Sequence, residues 1–223
     1  MKKQILLSLF SLLSAVVFGQ KAADKVSFGL QAGYANYGMQ GDAVSNLKSL
    51  IDYADGMVTT QNRNGFYAGI NASIPLGSGV SLVPAVQYTQ KGYELKGALN
   101  IKGLEFLGAN AKAQLQNDYI DIPVLLKADL GGFNVFAGPQ VSYLASSTLR
   151  TTAGVLGINL LDKKLDASNQ FNKWDAGVTA GVGYSFSNFN VNASYDYGLS
   201  KVDANKSVKS YNRGFKLGVG INF

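Results

Sequence analysis

The 223 residues include no cysteine and no histidine. That excludes a Ser-His-Asp triad, a thiol nucleophile, a disulfide and any His/Cys zinc or haem site. Proline is scarce, at four residues, and charged residues make up only 15%. Beyond Phe18 no apolar run approaches the 18 residues a membrane-spanning helix needs. The formal charge of +6, about +4 once Lys2 and Lys3 are set aside, is too mild and dispersed to support a nucleic-acid interface. What the chain does have is 26 glycines, 12 tyrosines, 12 phenylalanines and 47% apolar residues. It can bury a core and has the length of one domain, but so much glycine is odd for a helical bundle.

Targeting has to be removed before the fold is read. Met1-Lys2-Lys3 and the 14-residue apolar run Ile5–Phe18 form the n- and h-regions of a secretory signal peptide. Val17 and Gly19 supply small residues before a cut, so residues 1–19 are expected to be cleaved and 20–223 to fold. Losing Lys2 and Lys3 takes the formal charge from +6 to +4.

From Val26 onward the apolar residues recur at every second position, the mark of a strand with two unlike faces. Eight segments carry it: 26–34, 66–74, 82–91, 120–127, 133–143, 174–186, 189–197 and 214–223. In the sixth, Trp174, Ala176, Val178, Ala180, Val182, Tyr184 and Phe186 oppose Asp175, Gly177, Thr179, Gly181, Gly183 and Ser185. Most are long enough for a tilted strand to cross a bilayer. Pro75–Gly79, Gly131-Gly132 and Ser187-Asn188 are tight hairpin turns, whereas the other connections are long. Short turns at one end, long loops at the other and an even strand count predict an all-β fold. The expected form is an eight-stranded antiparallel up-and-down transmembrane β-barrel.

A soluble ligand-carrying barrel has the same alternation with its apolar face inside. Three features favour the membrane version. The polar face is crowded with glycine and serine, which suits a narrow interior. Aromatics on the apolar face cluster near both strand ends: Phe133, Phe186, Phe189 and Phe223 by the short turns, and Tyr34, Phe66, Tyr88, Tyr143, Trp174, Tyr197 and Phe215 toward the long loops. Such girdles belong at bilayer interfaces. Phe223, an aromatic at the end of the last strand, is expected to be the assembly signal.

Five segments carry a resemblance: 85–92 (AVQYTQKG), 119–127 (YIDIPVLLK), 138–144 (GPQVSYL), Asp175-Ala176-Gly177 with 181–184 (GVGY), and 195–199 (YDYGL). In this order they resemble the small outer-membrane β-barrel domain of Gram-negative bacteria, the porin-family or PorT-like barrels. The resemblance implies an outer-membrane location with both termini in the periplasm, and barrel-assembly machinery as a partner. It also implies the alternative role of a subunit in a secretion or transport apparatus. The chain departs from the family pattern at Ala85, often Glu, and Ser194, often Arg, both on the inward face.

The inward charges are Lys91, Asp121, Lys127, Asp175, Asp196 and Lys216. Three acids and three bases on one enclosed face are expected to pair, because a buried lone charge is costly. The same residues could form an ion path, but eight strands leave little room for a channel. With no histidine the usual general base is missing and no carboxylate pair is marked by spacing, so no enzyme, cofactor or metal is expected.

The loops should carry the function. Asp42 is placed to cap a short helix presenting Leu47, Leu50, Ile51 and Ala54. The segments 93–117 and 145–173 are too apolar for free loops and are expected to extend the strands as hairpins that pack on each other. Lys102, Lys112, Arg150, Lys163, Lys164, Lys201, Lys206, Lys209 and Arg213 supply basic groups there. They are ordinary solvated charges or contacts to lipopolysaccharide phosphates. The expectation is a monomeric, non-enzymatic barrel with a plugged polar lumen, in contact with outer-membrane lipids and lipopolysaccharide. Its role would be surface binding, adhesion or envelope structure; the alternatives are the apparatus subunit and a narrow pore.

Overall fold

Side chains alternate across a strand, so a period of two becomes two surfaces once the strands pair. The computed structural model describes residues 26–41, 58–99, 109–155, 158–204 and 209–223. Among them run β1 (Ser27–Gln40), β2 (Val58–Gly77), β3 (Val80–Leu99), β4 (Ala109–Leu130), β5 (Phe133–Val155), β6 (Ile158–Asp166), β7 (Trp174–Phe186), β8 (Phe189–Gly198) and β9 (Tyr211–Asn222). Every pairing is antiparallel. The ring runs β1-β2-β3-β4-β5-β7-β8-β9 and closes where β1 pairs β9, from Gly29↔Asn222 to Gln40↔Tyr211. Closure leaves the eight ring strands without an edge at the height of the barrel.

The surfaces are inverted relative to a soluble barrel. Phe28, Ile70, Val182 and Val219 stand 57–61% exposed on the outer wall, whereas Lys91, Asp121, Asp196 and Lys216 are buried inside. Aromatic pairs mark both margins of that wall. Phe133 packs on Tyr184 at 4.9 Å and Phe186 on Phe189 at 5.9 Å near the short turns. Toward the other end Tyr34 meets Phe215 at 5.9 Å, Phe66 meets Tyr88 at 5.5 Å and Tyr143 meets Trp174 at 5.1 Å. An apolar wall between two aromatic girdles matches a bilayer, and the soluble-carrier alternative is set aside.

The three short turns are two-residue reversals. Ser78 (φ 53°) and Gly79 (φ 76°), and Gly131 (φ 66°) with Gly132 (φ 97°), take the left-handed backbone that matches strand twist in such hairpins. At the other end β2 to β5 overshoot the bilayer, with 20, 20, 22 and 23 residues against the 9–11 or so that a tilted strand needs. The surplus forms a rim of sheet. Here β5 pairs β4 on one edge and β6 on the other, from Thr148↔Asp166 to Val155↔Ile158. β6 lies outside the ring and is the strand that reading the alternation alone does not locate. Register shifts at Asn62/Tyr67 and Asp118/Tyr119 fall near the upper girdle, where the barrel wall becomes the rim. The leader expected over residues 1–19 and the helix expected to start at Asp42 lie outside the described residues.

Glycine on the inner wall makes room for tyrosines that cross the lumen. A Cβ on Gly218 would lie 1.9 Å from the Tyr67 hydroxyl oxygen. Gly218→Val should therefore push Tyr67 out of place and cost about 1–3 kcal/mol, the range for overpacking a filled interior. Urea unfolding in micelles followed through Trp174 emission measures it, and an unchanged midpoint would mean the lumen is looser than described.

Candidate functional site

The inward positions of seven strands meet in one layer at mid-height. β3 brings Gln87 and Lys91, β4 brings Tyr119 and Asp121, β5 brings Gln140 and Ser142, and β1 brings Tyr37. β7 contributes Asp175 and Thr179, β8 Asp196, and β9 Asn212 and Lys216. Lys91 Nζ sits 2.8 Å from Asp121 Oδ1, donates to Ser142 Oγ at 3.2 Å, and lies over the rings of Tyr119 (4.7 Å) and Tyr37 (5.4 Å). Lys216 Nζ sits 3.0 Å from Asp196 Oδ2 and donates to Gln87 Oε1 at 3.2 Å. Asp196 also accepts from Thr179 at 2.9 Å, from Gln140 at 3.4 Å and from the Tyr37 hydroxyl.

Asp175 is held differently. It accepts from Ser200 at 2.6 Å and from Asn212 at 2.8 Å, both neutral donors. Asp121, by contrast, has Lys91 as its only polar partner among the described residues and is completely buried. The layer thus holds three carboxylates against two ammoniums. Lys127 does not join it. Its ammonium pairs with Asp129 at 3.2 Å close to the β4–β5 turn and stays partly exposed. Alternation places Lys127 on the inner wall correctly but says nothing of height, and six residues along β4 separate it from Asp121. The expected set of six is therefore a network of five with Lys127 standing apart at the short-turn end.

Above the layer the lumen is closed by apolar side chains. Met39, Leu115, Ala167 and Val202 are buried together, with Tyr93, Leu149 and Phe171 packed against them. The segment after β6 is folded over the mouth by backbone bonds: Ala167 N to Ser147 O at 2.9 Å, Asn172 N to Val202 O at 2.8 Å and Ala204 N to Gln170 O at 3.0 Å. The ion-paired layer and this apolar cluster lie one above the other along the lumen.

The basic residues of the rim are partly neutralised in place. Lys112 and Lys96 hold Glu94 at 2.9 and 3.1 Å, and Arg150 holds Asp162 at 2.6 Å. Partial burial pushes the Glu94 carboxyl upward, but hydrogen bonds and charge from Lys112 and Lys96 outweigh it and hold it below its usual value. Asp162 is held low chiefly by its hydrogen bond from Arg150. Arg213 lies over the Tyr197 ring at 3.8 Å and donates to Gln40 at 2.9 Å. Lys163 and Lys164 are exposed, and Lys102 and Lys206 lie outside the described residues.

A depressed carboxyl contributes stability that is present above its unfolded-state pKa and is lost as pH falls through the lower folded value. Amide protection factors in the β5–β6 hairpin, with the intrinsic pH dependence of exchange divided out, should therefore be high at neutral pH and fall below the ordinary carboxylate range. Asp162→Asn should remove that acid sensitivity. Equal exchange rates for the two proteins across the acid range would deny the pair any role.

Met39, Tyr37 and Val202 were not legible as site residues, because they fall beyond the strand ends that the alternation marks. Tyr67 and Tyr119 stand on the inner faces as the pattern requires, but nothing in the spacing signals that they span the lumen. Among the described residues no three His, Cys, Asp or Glu side chains are grouped to hold a metal ion.

With this geometry in view, comparison with known proteins gives a consistent result. The family model described as outer membrane protein beta-barrel domain matches residues 16–204. Among solved structures, the chain is similar to Neisserial surface protein A (17% identity, TM-score 0.46, covering 89% of this chain and 99% of that one). It is similar to Ail, the attachment invasion locus protein of Yersinia pestis, in complex with the heparin analogue sucrose octasulfate (14%, 0.45, 89% and 99%). It is also similar to the N-terminal β-barrel domain of Pseudomonas aeruginosa OprF (13%, 0.39, 90% and 99%). No curated protein sequence gives a significant match. The chain belongs to the outer membrane protein beta-barrel domain family, a β-barrel of the outer membrane.

Proposed function

We propose that the protein is a non-enzymatic, monomeric surface barrel whose sealed body anchors a binding rim at the cell surface. The observation that carries this is the double closure of the lumen, by five buried charges at mid-height and by the Met39–Leu115–Ala167–Val202 plug above them. A barrel closed in this way is a scaffold, and the part left free to meet other molecules is the rim of β2 to β6. The hairpin end then faces outward, among lipopolysaccharide, and the short turns and both termini face the periplasm. Hydrolytic barrels of this size commonly rely on a histidine base, which this sequence lacks, and the lumen carboxylates are tied into a network of lysines, amides and hydroxyls.

The test pairs two measurements on intact protein. Replacing the β5–β6 hairpin tip, residues 152–160, by a short turn should abolish surface contacts captured by crosslinking on whole cells, while the protein still migrates as a compact heat-modifiable band. In planar bilayers the unaltered protein should give no steady open-channel steps. Resolved conductance that changes in Lys91→Met would favour a narrow pore instead. Crosslinks confined to periplasmic partners would favour the apparatus subunit.

Phe223 stands on the outer wall at the β1–β9 seam, and its backbone N–H bonds to Phe28 O at 2.8 Å. Its deletion should lower the yield of assembled barrel while export to the periplasm continues. Full yield of heat-modifiable protein in the outer membrane would contradict the role given to this residue.

A further inference from the structure

Below the charged layer, the short-turn half of the lumen holds a cavity of about 130 Å³. By this measure one water needs roughly 10–15 Å³, so there is room for several. Its walls are rich in amides and hydroxyls, Asn71, Gln87, Asn134 and Asn192 among them, and two lysines, Lys127 and Lys216, line it. No carboxylate does so among the described residues. All three lumen acids, Asp121, Asp175 and Asp196, lie on the far side of this wall, so the lumen is segregated by charge along its axis.

The acid nearest the cavity is screened by its own partners. Lys216 and Thr179 both line the cavity and both contact Asp196, at 3.0 and 2.9 Å. An ammonium has three donors, and Asp196 and Gln87 engage two of those of Lys216. At the other end of the cavity, Lys127 is partly exposed and pairs with Asp129, also partly exposed, at 3.2 Å. The space itself exists because two inner-wall positions are small: Ala85 and Ser194 both line it, and either a long acid or a long base there would fill it.

We propose that this vestibule binds a small oxyanion of carboxylate or phosphate size, which enters past Lys127 at the short-turn end and is held between Lys127 and Lys216. Fixed amide donors and two cations in a partly desolvated recess, with no acid on its wall, suit an anion and no other charge class. Two sources offer that chemistry, a free anion and the terminal carboxylate of a peptide. The site is independent of the rim and of whatever the rim binds.

The test uses the whole barrel folded in maltoside micelles, with isotope-labelled Asn and Gln side-chain amides observed by NMR. Inorganic phosphate, a neutral tripeptide with a free carboxyl terminus and its amidated counterpart are titrated separately. Saturable shifts of the Gln87 and Asn192 amides with phosphate alone would support a free-anion site. Saturation with the free-acid peptide but not the amide would support a chain-terminal carboxylate. In either case Lys127→Gln, a change at the short-turn end that leaves the buried charged layer intact, should weaken binding roughly two- to fivefold, and Ala85→Leu should remove it. No saturation with phosphate or free-acid peptide, or saturation untouched by both substitutions, would overturn the proposal.

Discussion

Lys91→Met should destabilise the barrel by about 3–5 kcal/mol, the cost of leaving a buried charge without its partner. Asp121 is fully buried and has no polar partner but Lys91 among the described residues, so no other side chain compensates when the ammonium goes. The thioether can fill the space between the Tyr37 and Tyr119 rings, so the loss isolates charge from packing. The double variant Lys91→Met/Asp121→Leu removes both charges and should recover most of the stability, since a buried ion pair is often replaceable by apolar residues of similar volume. Urea unfolding of the folded protein in micelles gives both values. A single variant no worse than the double would mean that Asp121 is hydrated or otherwise satisfied, and that the layer is not the dry seal described.

The second large effect is expected on the outer wall. Val178 lies on the lipid-facing side of β7, midway between Trp174 and Tyr184 on the same face, and is 43% exposed. Val178→Arg should cost about 2–4 kcal/mol near the bilayer midplane, whereas Val178→Leu should be close to neutral. The penalty should appear in lipid bilayers and shrink in short-chain detergent, where the guanidinium reaches water more easily. An arginine at Leu161, on the exposed rim, should be tolerated in either medium. Equal tolerance at Val178 and Leu161 in bilayers would reverse the assignment of the outer wall.

How far the sequence goes depends on where each strand is. Between the girdles one face meets lipid and the other a polar lumen, so the alternation is forced, and Trp174–Phe186 can be followed residue by residue. Above the upper girdle both faces leave the bilayer, and the pattern dissolves into runs such as 59–63 (TTQNR) and 145–152 (ASSTLRTT). The strands continue there because the hydrogen-bond ladder already formed below carries on, a long-range cause that local periodicity does not record. That is why β6 and the upper parts of β2 to β5 are read only as hairpin-forming apolar segments.

The site divides in the same way. Alternation identifies which charges face inward, and Lys91, Asp121, Asp175, Asp196 and Lys216 do converge. Pairing depends on register and strand tilt across the ring, which no single strand specifies, and so alternation alone groups Lys127 with partners that lie at another height. The apolar plug is legible least of all. Met39, Leu115 and Val202 come from three separate strand ends and meet only after the ring has closed.

The absence of cysteine makes the most direct test of the central claim a simple one. Single cysteines at Val182, Val219 and Leu161, each carrying a small environment-sensitive fluorophore, are reconstituted in bilayers whose acyl chains bear a quencher. The account predicts strong quenching by the lipid at Val182 and Val219, protection there from aqueous iodide, and the reverse at Leu161. Iodide access at Val182 and Val219 with no quenching by lipid would contradict it, because the apolar wall would then not face the membrane.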